Sequence, residues 1–315
     1  MRKTLIAVAL TGAFSLPTAV MAQAAAAAAA SPHTFTGNVG IYSDYRFRGV
    51  SQTFRKPAVQ GGFDYAHSSG VYLGTWASNV YSGTNAAGAG VNFNNGNMEW
   101  DFYGGYKFET KSGIGFDVGA LHYYYPGANY ANAARTKYNN TELYGAVSYK
   151  WFSAKYSRAQ TDYFGVNTTT MGGVCGIQSS AGAGNAVVNT TNCFTATPGN
   201  SKGSGYLDLN ANFEIAEKLM LGLHYGRLKV KNYGLFDYTD YKVSLTKEYN
   251  GFNFGAAYVS TNAKHDMYRT AQTTGAAGSS LDIKDLSKGT LVLSVAKSFY
   301  TSEPSRRRPG RSRRA

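Results

Sequence analysis

The sequence predicts an all-β protein: a transmembrane, antiparallel, up-and-down β-barrel of about twelve strands. Its 315 residues include 37 glycines, 25 tyrosines and 17 phenylalanines, and only 16% are charged, a composition too aromatic for a disordered chain. Beyond the N-terminal region, no segment approaches the ~18 consecutive apolar residues of a transmembrane helix. Apolar and polar residues instead alternate with a period of two in one segment after another, which is typical of strands in a membrane barrel.

The N-terminus carries the features of a secretory signal peptide. Met1–Lys3 is basic, Leu5–Leu16 is a short apolar stretch, and Val20–Ala22 places small residues where a signal peptidase cleaves. We therefore expect residues 1–22 to be a signal peptide and residues 23–34 to be an alanine-rich leader to the first strand. The alternative, a buried N-terminal helix, fits these flanking residues less well.

The formal net charge of +13 is concentrated at the ends of the chain. Residues 1–22 carry +2 and residues 300–315 carry +5, which leaves +6 for residues 23–299. A charge this modest over that length does not indicate a nucleic-acid partner. The sequence therefore predicts no binding to nucleic acid.

The first predicted strand covers residues 38–48, eleven positions, which is about the length of one tilted membrane strand. Its odd positions are Val39, Ile41, Ser43, Tyr45 and Phe47. Its even positions are Asn38, Gly40, Tyr42, Asp44, Arg46 and Arg48. In an outer membrane the apolar face would contact lipid and the polar face would line the lumen.

The same alternation recurs along the chain. The other predicted strands are 57–67, 70–81, 98–108, 114–120, 142–151, 153–164, 207–215, 219–225, 240–245, 252–263 and 289–299. Twelve strands make an even number, as single-chain bacterial barrels require. Short turns such as 67–70 and 110–113 alternate with longer loops, 82–96, 126–139, 165–203 and 264–286. This asymmetry is typical of outer-membrane barrels, whose long loops are extracellular.

The longest loop contains both cysteines, Cys175 and Cys193. An even number of cysteines in an exported protein favours a disulfide between them. Two free thiols are the alternative. A metal site is not predicted, because no histidine lies in that stretch to complete one.

The last strand ends in an aromatic residue, as such barrels usually do. Leu291, Leu293 and Val295 alternate toward Phe299, so we place the barrel at residues 35–299 and expect the barrel-assembly machinery to recognise its last strand. Residues 300–315 are rich in arginine and are predicted to be a basic, disordered tail. A polybasic arm for anionic surfaces is the alternative role for this tail.

Several stretches of the chain form a recognisable set of motifs. The first runs from Asn38 to Gln52, and the others are Ala58–Tyr65, Trp76–Val80, Tyr125–Gly127, Tyr238–Lys242 and Leu293–Phe299. Together they resemble the TorF-type porins, a family catalogued by the Gcw_chp conserved domain. The resemblance covers residues 35–299 and implies an outer-membrane barrel of the porin class. It implies no settled substrate and no catalytic residues.

The inward-facing charges are the candidate functional residues. Arg46 and Arg48 beside Asp44 are the predicted pore constriction, and Glu99 and Asp101 are the predicted facing acids. Opposed acids and bases in a narrow lumen would create a transverse field that selects solutes by size and charge. The alternative is that these charges pair with one another and fill a small lumen.

On these grounds the sequence predicts a porin-like channel for passive diffusion of small hydrophilic solutes through the outer membrane. The alternative is a non-conducting structural or partner-binding barrel that acts through its extracellular loops. An enzyme is not predicted, because the five histidines are widely scattered and a hydrolase needs its groups to converge. No cofactor is predicted, and the expected contacts are membrane lipid and small solutes.

Overall fold

A computed structural model describes residues 31–81, 93–94, 96–130, 134–171, 177–179, 186–188, 199–274 and 280–301. The predicted signal peptide at 1–22 and most of the predicted tail at 300–315 lie outside these residues. Cys175 and Cys193 also lie outside them, so the predicted disulfide stays a prediction.

Twelve antiparallel strands form a closed barrel, which confirms the predicted fold class. Each strand pairs with its neighbours in sequence, and β1 pairs with β12 to close the sheet. The strands are β1 (His33–Tyr42), β2 (Ala58–His67), β3 (Val71–Asn79), β4 (Met98–Glu109), β5 (Ile114–Tyr124), β6 (Asn140–Tyr149), β7 (Phe152–Ala159), β8 (Gly205–Ala216), β9 (Leu219–Lys229), β10 (Tyr238–Tyr249), β11 (Phe252–Thr261) and β12 (Thr290–Thr301).

Small elements occupy the connections between the barrel strands. Four two-stranded hairpins or ribbons pair Arg46–Phe47 with Val50–Ser51, Phe93–Asn94 with Asn129–Tyr130, Ile177–Ser179 with Ala186–Val188, and Arg269–Thr274 with Ser280–Asp285. The helical turns are Tyr163–Gly165, Thr168–Met171, Gly234–Phe236 and His265–Met267. Among the described residues, no helix is long and apolar enough to cross a membrane.

The two faces of the sheet differ as the alternation predicts. Along β12, Leu291, Leu293 and Val295 are exposed on the outside, whereas Val292 and Ala296 are buried on the inside. The same parity holds along β4, where Trp100 and Phe102 point outward and Glu99 points inward. A closed barrel leaves no free sheet edge, so only the outward apolar side chains need an apolar surrounding.

The two rims of the barrel also differ. One rim carries only short turns, residues 68–70, 110–113, 150–151, 217–218 and 250–251, and we name it the short-turn end. The other rim, the long-loop end, carries the connections 43–57, 80–97, 125–139, 160–204, 230–237 and 262–289. The N-terminus of β1 and the C-terminus of β12 lie at the short-turn end, because an even number of strands returns the chain to its starting rim.

The prediction for the first strand is wrong beyond Tyr42, where β1 ends. Tyr45 and Phe47 do not face lipid; both are buried inside the barrel. Arg48 and Gly49 have φ values of 47° and 82° and form a tight turn between Arg46–Phe47 and Val50–Ser51. A two-residue turn with positive φ at both positions reverses the chain into a hairpin. The alternation therefore continues in the sequence while the backbone leaves the barrel wall.

Candidate pore constriction

Residues 43–57, which we name the inserted loop, fold from the end of β1 into the lumen. Its residues from Asp44 to Ser51 are all buried, as are Thr53 and Phe54. The Tyr45 hydroxyl donates to Glu99 Oε1 on β4 at 2.8 Å, and the Tyr238 hydroxyl on β10 donates to the Arg48 carbonyl oxygen at 2.7 Å. The inserted loop thus spans the lumen at the long-loop end.

Asp44 organises the base of the inserted loop. Its carboxylate accepts hydrogen bonds from Arg46 Nε at 2.6 Å, Ser51 Oγ at 2.6 Å and Thr53 Oγ1 at 3.1 Å. Arg46 Nη1 then donates to the carbonyl oxygens of Leu286 and Lys288 in the connection before β12, at 3.1 and 3.0 Å. This buried ion pair therefore fixes the loop to the mouth of the barrel.

Arg48 connects the inserted loop to the barrel wall. Its Nη2 donates to Glu142 Oε2 on β6 at 2.7 Å, and its Nη1 donates to the Tyr163 hydroxyl at 3.1 Å. The guanidinium carbon also lies 4.3 Å from the centre of the Tyr206 ring on β8. The Arg48–Glu142 ion pair is almost fully buried. Because a buried carboxylate is costly without a paired cation, the Glu142 charge is compensated only while Arg48 stays next to it.

Glu99 and Asp101 lie on the wall of β4, two residues apart and both facing inward. Tyr45 holds one oxygen of Glu99, but Glu99 Oε2 and Asp101 Oδ1 have no hydrogen-bond partner among the described residues. The structure thus places all five predicted constriction residues in the lumen. It does not bring the two arginines against these two acids: Arg46 contacts Asp44, and Arg48 contacts Glu142.

Sequence reasoning did not single out a second charged group, which lies on β8, β9 and β10. His224 Nε2 lies 2.7 Å from Asp240 Oδ2, and His224 Nδ1 lies 3.2 Å from Asp208 Oδ1. Lys242 is the register partner of His224 on the neighbouring strand and also points inward. His224 occupies a polar position in the alternation of its strand, and that parity was the available signal. His122, by contrast, lies on the outer face and bonds Thr141 Oγ1 at 2.8 Å.

Toward the short-turn end the lumen is polar and accessible to water. Lys107 on β4 points inward. Its Nζ lies 4.2 Å from the centre of the Tyr72 ring and 3.7 Å from Asp117 Oδ2, and its side chain is 35% exposed to solvent. Asn38 and Asn212 also face inward and are partly exposed. Where the structure describes the chain, no group of three or more His, Cys, Asp or Glu side chains could hold a metal ion.

The fold and the lumen define the class: a closed twelve-stranded antiparallel β-barrel with a charged interior and an inserted loop. The chain belongs to the Gcw_chp family, described as bacterial proteins of unknown function, whose family model matches residues 26–299. The TorF-type name is not part of that description. No curated protein matches the chain.

Solved structures of similar fold are named as porins and channels. A KdgM porin in complex with disordered oligogalacturonate is 8% identical with a TM-score of 0.42, over 84% of this chain and 99% of that chain. A NanC porin is 8% identical with a TM-score of 0.43, over 85% of this chain and 100% of that chain. The COG4313 outer membrane channel from Pseudomonas putida F1 is 8% identical with a TM-score of 0.44, over 86% and 97%. Because all three TM-scores are low, these similarities support no inference about solutes.

Proposed function

We propose that the protein is an outer-membrane channel for passive diffusion of small hydrophilic solutes, with the inserted loop as its constriction. The observation that carries this proposal is a lumen with charges of both signs: the inserted loop brings Asp44, Arg46 and Arg48 into it, and Glu99 and Asp101 line the wall of β4. Fixed charges of both signs at a constriction select solutes by size and charge. The accessible Lys107 side chain supports a water-filled approach to that level.

Placement in the outer membrane belongs to the same proposal. The exposed belt of outward apolar residues, among them Phe63, Val118 and Leu293, suits contact with lipid. The predicted signal peptide accounts for export, the long-loop end would lie outside the cell, and the strand that passes through Phe299 would be the segment recognised by the barrel-assembly machinery. These features agree with the resemblance to TorF-type porins.

A second candidate, a non-conducting barrel that acts through its surface loops, is favoured by one observation. Tyr45 and Phe54 of the inserted loop are completely buried, and Phe47 packs edge-on against Tyr123 and Phe164 at ring-centroid distances of 5.5 and 5.6 Å. Packing of this kind is typical of a filled interior. Under this candidate the loop would fill the lumen permanently.

Single-channel recording separates the two candidates. The protein is purified from outer membranes, shown to be folded by its heat-modifiable migration, and inserted into a planar bilayer. Discrete conductance steps are the expected result for a channel. Silence from protein that is folded and inserted contradicts the channel and supports the non-conducting barrel.

A further inference from the structure

On one part of the lumen wall, three buried polar atoms have no hydrogen-bond partner among the residues that the structure describes. They are Gln60 Nε2 on β2 and, on β4, Glu99 Oε2 and Asp101 Oδ1. Gln60 is 4% exposed, Glu99 1% and Asp101 4%. A buried polar group without a partner destabilises the folded protein, and more strongly when it is charged, so each such group needs an explanation.

The strand register brings these residues into one patch. Ser78 on β3 pairs with Gln60 on one side and with Glu99 on the other, so these three side chains occupy neighbouring inward positions. Asp101 is the next inward position along β4 and pairs with Trp76. The donor of Gln60 and the acceptors of Glu99 and Asp101 therefore line the same part of the lumen.

Within the described part of the chain, neither carboxylate forms an ion pair with a protein cation. Among the residues that the structure describes, no lysine, arginine or histidine nitrogen lies within 4.0 Å of Glu99 or Asp101. The three arginines of the inserted loop bond elsewhere: Arg46 to Asp44, Arg48 to Glu142, and Arg55 to the Thr290 hydroxyl. Two buried carboxyl groups on neighbouring inward positions, with no positive partner among the described residues, are an incomplete electrostatic arrangement.

Aromatic rings form the remaining side of the patch. The Tyr45 ring packs edge-on against Trp76 with 5.4 Å between centroids, and the Tyr45 hydroxyl donates to Glu99 Oε1. Ring faces attract cations that lie within about 6 Å, most strongly when both groups are desolvated. Carboxylates and aromatic rings together favour a cationic group over a neutral or anionic one.

We propose that Glu99, Asp101 and Gln60 form a binding site for small solutes that carry an ammonium or guanidinium group. The N–H donors of the cation would bond the free oxygens of Glu99 and Asp101, and a hydroxyl or carbonyl oxygen of the solute would accept from Gln60. This proposal deepens the proposed channel function and rests on it for the route by which the solute arrives. It names small organic cations as the preferred solutes.

Equilibrium dialysis tests the site without requiring conduction. Detergent-solubilised full-length protein is dialysed against radiolabelled guanidinium or radiolabelled urea, which have the same shape but differ in charge. We expect one equivalent of guanidinium to bind and urea to bind at least about tenfold more weakly, a difference that corresponds to ~1.4 kcal/mol. Equal binding of the two probes would overturn the site.

Two matched variants locate the binding. Asp101→Asn removes a carboxylate that lacks a partner, whereas Asp64→Asn removes an inward carboxylate on β2 that accepts from the Tyr103 hydroxyl at 2.6 Å. We expect Asp101→Asn to lose guanidinium binding and Asp64→Asn to keep it. Equal effects of the two variants would contradict the site. Glu99→Gln serves as a second variant if Asp101→Asn does not fold.

Reversal potentials in a tenfold gradient of potassium chloride give the matching readout for transport. The wild-type channel should prefer potassium over chloride, and Asp101→Asn should lower that preference several-fold more than Asp64→Asn does. A conducting channel without this difference would overturn the site and leave the channel intact. A silent barrel that still binds guanidinium over urea would overturn the channel and leave the site intact.

Discussion

Two parts of the lumen wall balance their charges in different ways. The acidic wall, on β4 and β6, carries Glu99, Asp101 and Glu142. Within the described part of the chain, the one ion pair that these three carboxylates form is between Glu142 and Arg48 of the inserted loop. The paired wall, on β8 to β10, places His224 between Asp208 and Asp240. The acidic wall therefore depends on where the inserted loop lies, whereas the paired wall balances its charge within the barrel.

Replacing Arg48 should produce the largest effect, because it removes the cation on which the acidic wall depends. In Arg48→Met the Glu142 carboxylate stays buried and keeps its hydrogen bonds from Asn140 Nδ2 and the Tyr123 hydroxyl, but it loses its cation. Breaking a buried ion pair in this way costs about 3–5 kcal/mol. We expect the free energy of unfolding, measured by urea denaturation in detergent micelles, to fall by that amount. In a conducting protein the inserted loop should also detach from β6, and the single-channel conductance should increase.

The double variant Arg48→Met/Glu142→Gln is the control for this experiment. It removes both charges, so most of the lost stability should return. If the single variant is as stable as the wild type, the acidic wall does not depend on the inserted loop and the comparison fails.

Gly49 tests whether the tip of the inserted loop reaches the paired wall. Its φ is +82°, and a Cβ there would lie 2.7 Å from Asp240 Cβ and 2.5 Å from Thr261 Cγ2. Gly49→Ala therefore combines backbone strain with overlap, which together cost about 2–4 kcal/mol. Gly113 has the same φ of +82° with nothing within 4 Å of its Cβ position. Gly113→Ala should cost only about 1 kcal/mol by urea denaturation, and equal losses in both variants would place the loop tip away from that wall.

Removing His224 should make the paired wall resemble the acidic wall. His224→Gln takes away a side chain bonded to two carboxylates, and hydrogen bonds to charged groups contribute about 1.5–3 kcal/mol each in folded proteins. We expect the free energy of unfolding to fall by about 2 kcal/mol. We also expect the reversal potential to show a stronger preference for cations, because Asp208 and Asp240 lose a compensating group. His122→Gln on the outer face is the matched control and should leave the reversal potential unchanged. A His224 variant with unchanged selectivity would show that this wall does not face the solute.

The barrel strands could be predicted from the sequence because lipid and lumen impose opposite polarity on alternate residues. The alternation in 289–299 therefore predicted β12 to within two residues at its C-terminal end. The inserted loop could not be predicted in the same way. Tyr45 and Phe47 alternate like lipid-facing residues, but inside the barrel they pack against the aromatic rings of Trp76 and Tyr123. An apolar residue suits either surrounding, so the pattern does not distinguish a lipid-facing position from a packed interior one.

The sequence predicts which site residues face the lumen, but it does not predict which of them pair with one another. Parity along β4 correctly placed Glu99 and Asp101 on the inner face. The partner of Arg48 was not predictable, because Glu142 lies 94 residues further along the chain and meets it only after the loop has folded inward. The Arg48–Glu142 ion pair depends on the closure of the barrel and on the left-handed turn at Arg48 and Gly49. Neither feature leaves a local signal in the sequence.

The smallest expected effect concerns Asp285, which helps hold the mouth of the barrel where Arg46 is anchored. Its carboxylate accepts from Ser287 Oγ at 2.6 Å and contacts His265 Nδ1 at 2.5 Å, and Arg46 bonds the carbonyl oxygens of Leu286 and Lys288 on either side of Ser287. Partial burial alone would raise the pKa of Asp285, but the hydrogen bonds from Ser287 and the nearby His265 outweigh it and lower that pKa.

A lowered pKa in the folded protein means that Asp285 contributes stability above its usual pKa of about 3.9, and that this stability is lost as the pH falls through the lowered value. Asp285→Asn should remove this part of the acid dependence and reduce stability at pH 7 by less than ~1 kcal/mol, because His265 is exposed to solvent. The measurement is urea denaturation at pH 7 and below pH 4, with Asp282→Asn on the same hairpin as the control. If the free energy of unfolding changes with pH in the same way in both variants, Asp285 does not help to hold the inserted loop. The acidic wall and the paired wall alone would then fix the position of that loop.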